Sequence, residues 1–581
     1  MAKKVGSKKG LKYLILLLVA FSIIFSMYVG DIFYYFNYLE IYPSEITLPL
    51  LMVVLSAFLV SCVVYFSRWP KLYASKLLST VALAFMLNNY DVRLGFISGF
   101  FRGIVPALPP ADGDLPIISV LFFVILVAIS IFIGLLADKI LRRSKRKDAS
   151  NKFAEFLLVF VVVIGLWQVI HLATILPTIS KQSKSQPVSL GKTSKPTSDK
   201  PDIYYIVLDR YTNETVLKDQ FAYDNSNFIN NLRQMNFNVN EYAYSNYPVT
   251  SMSISSTLNA NYTNNIVSKY KNDQIQSRTL YHNLIRQSSV AKALKDNGYK
   301  FYQIGADYSA SSKAPMADVD LTSSNSLSVF NSPTRKLTPF EYMEFNKSIY
   351  RQLFKVTFNW WPFKSIEKDK VKMVGEQLSA LNSLASQKSR GKFVFAHILV
   401  PHHPYVFNSD GSISQFQTSD NYGTTIKTKY LNQLQYINTE ISKTIKNIME
   451  TSDGQAVIIL NADEGTYPQE MNSDAFDLAA PLDYMSKTDM NTWSEKWLKM
   501  KFGILQATYI PKASQQDVQN LSSVNMFRII LNNYLGYKLE YLPNCNFGFN
   551  RGDRYEYDYS DITKKLQSNP NQECQQYQSL K

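Results

Sequence analysis

Pro201-Asp-Ile-Tyr-Tyr-Ile-Val-Leu-Asp209 reads as a strand that ends on a carboxylate. Its central residues are continuously apolar rather than alternating, the pattern of a strand buried on both faces. A second run of this kind, Ala456-Val-Ile-Ile-Leu460, leads into Asn461-Ala-Asp-Glu-Gly465. Between the two lies a hydroxyl-rich turn, Ser245-Asn-Tyr-Pro-Val-Thr-Ser251. In a parallel α/β sheet, ligands gather outside the carboxyl ends of the strands. Two strand ends carrying acids and one hydroxyl turn therefore predict a metal site beside a nucleophile.

The surrounding pattern supports such a sheet. Lys300–Ile304, Lys392–Leu399 and Phe502–Tyr509 read as further strands. Helical patterns separate them: Asn225–Met235, one opening at Ser253–Leu258, Val290–Asn297 before Gly298, and Tyr430–Met449. The last of these carries Leu431, Leu434, Ile437, Ile441, Ile445 and Ile448 on one face, at helical spacing. Short apolar strands between helices predict a mostly parallel central sheet covered on both sides.

The chain is 581 residues long, more than one ordinary domain. Its first third consists of long apolar runs. They read as five membrane spans: Leu11–Val29, Thr47–Phe66, Leu72–Leu87, Leu115–Ala137 and Phe153–Leu176. A spanning helix needs about 20 apolar residues, and the third run is short enough to be an interfacial or re-entrant helix instead. Lys3, Lys4, Lys8 and Lys9 precede the first span; Arg68, Lys71 and Lys76 follow the second. Lys139, Arg142, Arg143, Lys145, Arg146 and Lys147 follow the fourth, whereas the other loops carry Asp31, Glu45, Asp91, Asp112 and Asp114. Basic loops stay on the cytoplasmic side, so the amino terminus is expected inside and everything after the fifth span outside a bacterial-type cell membrane. Ser26–Gly30 is a poor signal-peptide cleavage site and more spans follow, so the first helix is read as retained. The net charge of +15 owes much to these membrane-flanking groups and to a Lys-rich linker, which points to anionic lipid headgroups and not to nucleic acid.

The expected organisation is a five-helix membrane domain over 1–177, a linker over 178–200 and an extracytoplasmic α/β domain over 201–581. The linker is rich in Ser, Lys, Thr, Gln and Pro and has too few apolar groups to bury a core. Of the three cysteines, Cys62 falls inside the second span as a packing residue. Cys545 and Cys574 lie in the exported half, where an oxidising exterior permits a disulfide; two unrelated thiols are the alternative.

Asp209 and the adjacent pair Asp463 and Glu464 are candidate metal ligands, with a helix cap or a solvated turn as the plainer reading of each. Thr250, just before a helix, is either a cap or a nucleophile placed where the helix dipole favours an anion; Ser251 and Ser253 are rivals. His397, His402 and His403 crowd into seven positions out of five histidines in all. They are candidates to bind a phosphate oxygen or protonate a leaving group.

Four stretches in this order resemble the alkaline phosphatase superfamily. They are Ile203-Tyr-Tyr-Ile-Val-Leu-Asp209, Ser245-Asn-Tyr-Pro-Val-Thr250, His397-x4-His402-x-Pro404 and Ile458-Ile-Leu-Asn-Ala-Asp463-Glu-Gly465. The closest resemblance is to membrane-anchored sulfatase-like phosphotransferases, the lipoteichoic acid synthase and phosphoethanolamine transferase group, over Pro201–Pro511. It implies that Asp209, Thr250 and Asp463 hold a metal, that Thr250 attacks a phosphodiester to become a phospho-threonine, and that His402 contacts the transferred group. It also implies a phospholipid donor and an envelope lipid or glycan acceptor, with water as acceptor in a hydrolase. The family usually has Asp-His-Gly where this chain has Asp463-Glu464-Gly465, and no histidine follows His403. Asp209, Thr250, Asp463 and Glu464 would then form an all-oxygen site for one divalent ion, Mn²⁺ or Mg²⁺ rather than Zn²⁺. The same replacement is compatible with an inactive envelope-binding scaffold. No Cys followed by Pro and Arg stands after Thr250, which argues against formylglycine sulfatase chemistry.

Overall fold

The structure is a computed structural model. It describes residues 2–34, 47–68, 70–88, 116–144, 146, 148–182, 189–191, 200–267, 278–306, 308, 310–312, 314–321, 366–414, 426–471, 489–519, 521–549, 559–568 and 572–577. The chain divides into two compact units. One is built on Met1–Lys181 together with Ser326–Lys364; the other comprises Gln182–Asn325 and Ser365–Lys581. Most of the expected linker, the acidic loops at 35–46 and 89–115, and the loop Thr322–Lys336 lie outside the described residues.

Among its described residues the first unit contains five apolar helices: α1 (Ala2–Tyr34), α2 (Thr47–Phe66), α3 (Tyr73–Asn88), α4 (Pro116–Arg143) and α5 (Ala149–Gln182). Four of them are long and apolar enough to cross a membrane, and α3 is shorter. α1 packs against α2 and α3, and α3 against α4, around Leu16, Ala20, Ala57, Val60, Leu77 and Leu126. Phe132, Phe156, Val159 and Trp167 remain exposed, as suits side chains whose solvent is hydrocarbon. The start of α3 is capped from another helix: the buried Asp138 accepts from the backbone N–H of Leu72 at 2.8 Å, pairing an amide that the helix itself leaves orphaned.

The second unit is organised by a seven-stranded sheet. Its strands are β1 (Ile203–Leu208), β2 (Asn238–Val239), β3 (Lys300–Ile304), β4 (Val319–Asp320), β5 (Lys392–Ile398), β6 (Val457–Asn461) and β7 (Gln506–Tyr509). The order is β2-β7-β6-β1-β5-β3-β4. β6, β1, β5, β3 and β4 are mutually parallel, and β7 is antiparallel to both neighbours. Every residue of β1, β5 and β6 is buried, as expected of strands covered on both faces. One face packs on helices α8 (Ile366–Ala385) and α9 (Ile426–Thr451); the other packs on α6 (Thr250–Asn259), α7 (Ser289–Asp296) and α11 (Met526–Leu535). α10 (Glu495–Phe502) and a small hairpin, β8 (Phe547–Phe549) with β9 (Tyr559–Asp561), complete the elements that matter for the site.

The expected strand Phe502–Tyr509 is shorter than its sequence pattern. Its first residue closes α10, and Gly503 and the two residues after it form the connection. The helix expected to open at Ser253 begins three positions earlier, on Thr250 itself. Cys545 and Cys574 are joined by a disulfide.

Candidate active site

The three central strands deliver the chemistry. β1 ends one residue before Asp209, β6 ends two residues before Asp463, and His397 is the penultimate residue of β5, in register with Val207 of β1. All three ends lie on the same edge because the strands are parallel. One donor atom from each of Asp209, His397 and Asp463 lies within 4.8 Å of the others, all in buried residues. His397 Nε2 is 3.3 Å from Asp209 Oδ2. Asp209 Oδ1, His397 Nε2 and Asp463 Oδ2 are buried without a hydrogen-bond partner. Buried polar atoms are nearly always paired, so three orphans facing one point fit a cation.

Each donor is fixed from behind. Ser311 Oγ lies 2.8 Å from His397 Nδ1, which turns Nε2 toward the acids. Gln377 Nε2 donates to the His397 carbonyl at 2.6 Å. The Arg210 backbone N–H donates to Asp463 Oδ1 at 3.1 Å, and the Thr250 hydroxyl lies near enough to the Asp463 carboxyl to favour its charged form. Burial, reinforced by Asp209, pushes the Asp463 carboxyl up to about 6. Gly465 is required by close approach: a Cβ there would stand 2.2 Å from the Met500 carbonyl.

Thr250 is the first residue of α6. The cap position is Val249, which offers no side-chain bond, so Thr250 does not serve as the cap and the amides of the first turn keep their attraction for an anion. Thr250 is half-buried, whereas Ser251 and Ser253 are buried and Ser253 Oγ turns inward to the Tyr247 carbonyl at 3.3 Å. Of the three hydroxyls, Thr250 is therefore the one nearest the acid cluster.

Glu464 does not join this group. Its carboxylate is shared by two cations, Arg210 Nε at 3.2 Å and Lys501 Nζ at 2.7 Å. Both cations also stack on Tyr467, with Arg210 Cζ 4.1 Å and Lys501 Nζ 3.6 Å from the ring centre. Among the described residues, the group that could hold a metal is two carboxylates and an imidazole, whereas the sequence points to Asp209, Thr250, Asp463 and Glu464. Asp463 and Glu464 lie on the loop after β6, and there they serve different neighbours.

His402 and His403 form the wall next to Arg210. His402 Nδ1 is 2.5 Å from the His403 carbonyl. A carbonyl only accepts, so Nδ1 carries the proton and Nε2 the lone pair of the neutral ring. His403 Nδ1 faces the Arg210 guanidinium at 3.3 Å. Arginine only donates, which places the His403 proton on Nε2. Burial, together with Arg210 and Lys370, holds both imidazoles well below their usual pKa. Lys370, on α8, donates to the His402 and Pro404 carbonyls and so fixes this turn; burial pushes its pKa well down.

Arg210, Ser311, Lys370 and Lys501 were not singled out from the sequence. A basic residue next to Asp209 was the one available signal; Lys370 and Lys501 sit in ordinary amphipathic helices whose role only packing reveals.

No protein-family model matches the chain, and no curated protein matches it. Among solved structures, it is similar to the integral membrane lipooligosaccharide phosphoethanolamine transferase A (EptA) from Neisseria meningitidis. The two are 11% identical over 90% of this chain and 95% of that one, with a TM-score of 0.35. It is also similar to the C-terminal periplasmic domain of EcEptC from Escherichia coli in complex with Zn, at 12% identity over 65% of this chain and 96% of that one, TM-score 0.38. A putative sulfatase from Bacteroides thetaiotaomicron shares 10% identity over 61% of this chain and 75% of that one, TM-score 0.35. No residue role follows from likeness at this level.

Proposed function

We propose that the chain is a membrane-anchored, metal-dependent phosphotransferase that moves a phosphate-containing headgroup, of phosphoglycerol or phosphoethanolamine type, from a lipid donor to an envelope lipid or glycan through a phospho-threonine at Thr250. The observation that carries this reading is the junction of three unpartnered donors from Asp209, His397 and Asp463 with the hydroxyl at the start of α6. In this reading residues 1–177 anchor the enzyme with the amino terminus in the cytoplasm, 178–200 are a tether, and 201–581 work on the outer side at headgroup level.

Asp209, His397 and Asp463 would hold one divalent ion, with Thr250 beside it. Such an ion supplies Lewis acidity that favours an anionic oxygen. One imidazole among carboxylates suits Mn²⁺ or Zn²⁺ and weakens the preference for Mg²⁺. Asp463 aligns the Thr250 oxygen for attack on phosphorus; the lipid alcohol leaves, and the phosphoryl group rests on Thr250 at the amino end of α6. Arg210 keeps positive charge beside it. His403 Nε2–H suits a phosphate oxygen, and the His402 Nε2 lone pair suits the proton of an incoming hydroxyl. His397, read from the sequence as a substrate contact, takes the metal side instead.

The test is metal analysis and turnover of the purified full chain. One Mn²⁺ or Zn²⁺ per chain is expected, with turnover lost on chelation and restored by the ion. No bound divalent ion at millimolar supply would favour a scaffold, and release of the headgroup to water alone would favour a hydrolase. Protons compete with the metal for Asp463, so affinity is expected to fall by up to about tenfold per pH unit below about pH 6. A flat profile in metal titrations between pH 5 and 7 would remove Asp463 from the ligand set. Ser311→Ala, which frees the His397 ring to turn, should weaken the metal about 10- to 100-fold, as read by competition with a chelator.

A further inference from the structure

The turn that carries Thr250 is gripped from behind by the carboxyl-terminal part of the chain. We propose that this disulfide-closed segment positions the nucleophile, with Asn246 as the positioning residue; the catalytic half of the proposal rests on the Thr250 reading above.

Ser245, Asn246 and Tyr247 are completely buried. Asn246 spends three polar groups on distant chain: Nδ2 donates to the Cys545 carbonyl at 2.7 Å, Oδ1 accepts from Val524 N at 3.1 Å, and its carbonyl accepts from Phe547 N at 2.9 Å. Asn546 Nδ2 returns a bond to the Ser245 carbonyl at 2.8 Å. Tyr247 packs its ring on Phe547, with centroids 5.7 Å apart, and its hydroxyl donates to Asn264 Oδ1 at 2.8 Å. Asn264 Nδ2 in turn donates to the Tyr577 carbonyl at 2.6 Å. Cys545 N donates to the Tyr262 hydroxyl at 2.8 Å, and the bond to Cys574 closes the segment that makes these contacts.

The start of α6 has no side-chain cap to set its position. The residues that do set it are the buried three just ahead of Thr250, and most of their outside partners come from Val524 and residues 545–547. A nucleophile displaced by about 1 Å loses on the order of 10²-fold in rate. The segment thus acts on rate through placement and touches no substrate itself.

Asn246→Asp is nearly isosteric and separates the bonds. It keeps the acceptor for Val524 N but sets an oxygen against the Cys545 carbonyl. In the full chain in detergent, hydrogen exchange of the peptide spanning 245–252 is expected to rise about tenfold while that of β1 stays unchanged. Turnover of bis(4-nitrophenyl) phosphate with Mn²⁺ is expected to fall about 10- to 100-fold, with KM and metal content unaltered. Cys545→Ala/Cys574→Ala should shift both readouts the same way, and it decides the matter if Asn246→Asp does not fold. Unchanged exchange at 245–252 overturns the proposal, and so does faster exchange with full turnover. If Thr250→Ala retains turnover, the nucleophile assignment fails separately, and exchange alone then judges the grip on the turn.

Discussion

Thr250→Ala is expected to lower transfer on the order of 10⁴-fold, as removal of a covalent nucleophile does, while the second unit stays folded and its metal content is unchanged. Thr250 is half-buried, with its hydroxyl toward Asp463, so the stability cost is at most about 1 kcal/mol. Ser251 and Ser253 cannot take over, since both are buried and Ser253 is turned to the Tyr247 carbonyl. The decisive measurements are turnover, the melting transition, and mass spectrometry of the peptide containing residue 250 after mixing with donor. Wild-type protein should carry a phosphorylated species there and the variant none. Undiminished turnover in the variant would take Thr250 out of the mechanism.

Glu464→Gln should unfold the exported unit more readily without emptying the metal site. Glu464 is 3% exposed and Lys501 fully buried, and Arg210 shares the same carboxylate. Neutralising the acid removes the carboxylate that Arg210 and the buried Lys501 share, and breaking a buried pair in this way costs about 3–5 kcal/mol. Asp463→Asn should do the opposite, removing the ion with less effect on stability, because burial and the neighbouring Asp209 already disfavour that charge, whereas Glu464 has Lys501 and Arg210 beside it. Paired denaturation curves and metal analyses separate the two. Loss of the ion in Glu464→Gln with stability intact would return Glu464 to the ligand set.

Much of this site could be read from residues alone. Continuous apolar runs located β1, β5 and β6, and the acids at two of their ends identified the reactive edge. The third donor was harder. His397 stands inside a run, Lys392–Ile398, that is otherwise buried and largely apolar; a lone imidazole there was a signal, but its direction depends on Ser311, which is 86 residues away in sequence. Adjacency in sequence groups Glu464 with Asp463, whereas in space its carboxylate faces Arg210 and Lys501. Lys501 became visible only once α10 was packed, since nothing in Glu495–Phe502 distinguishes one lysine from the others. The length of β7 was overestimated because Phe502 and Ile504 are as apolar as a strand and are buried for other reasons.

Placing β1 between β5 and β6 has a bearing on biogenesis. Arg210 and Asp463 meet although 253 positions separate them. A ribosomal product interrupted ahead of Asp463 keeps two of the three donors but lacks the clamp, however well its early strands collapse. On the proposed ligand set, loading of an ion would therefore be a late event, open only to polypeptide whose last central strand has been delivered.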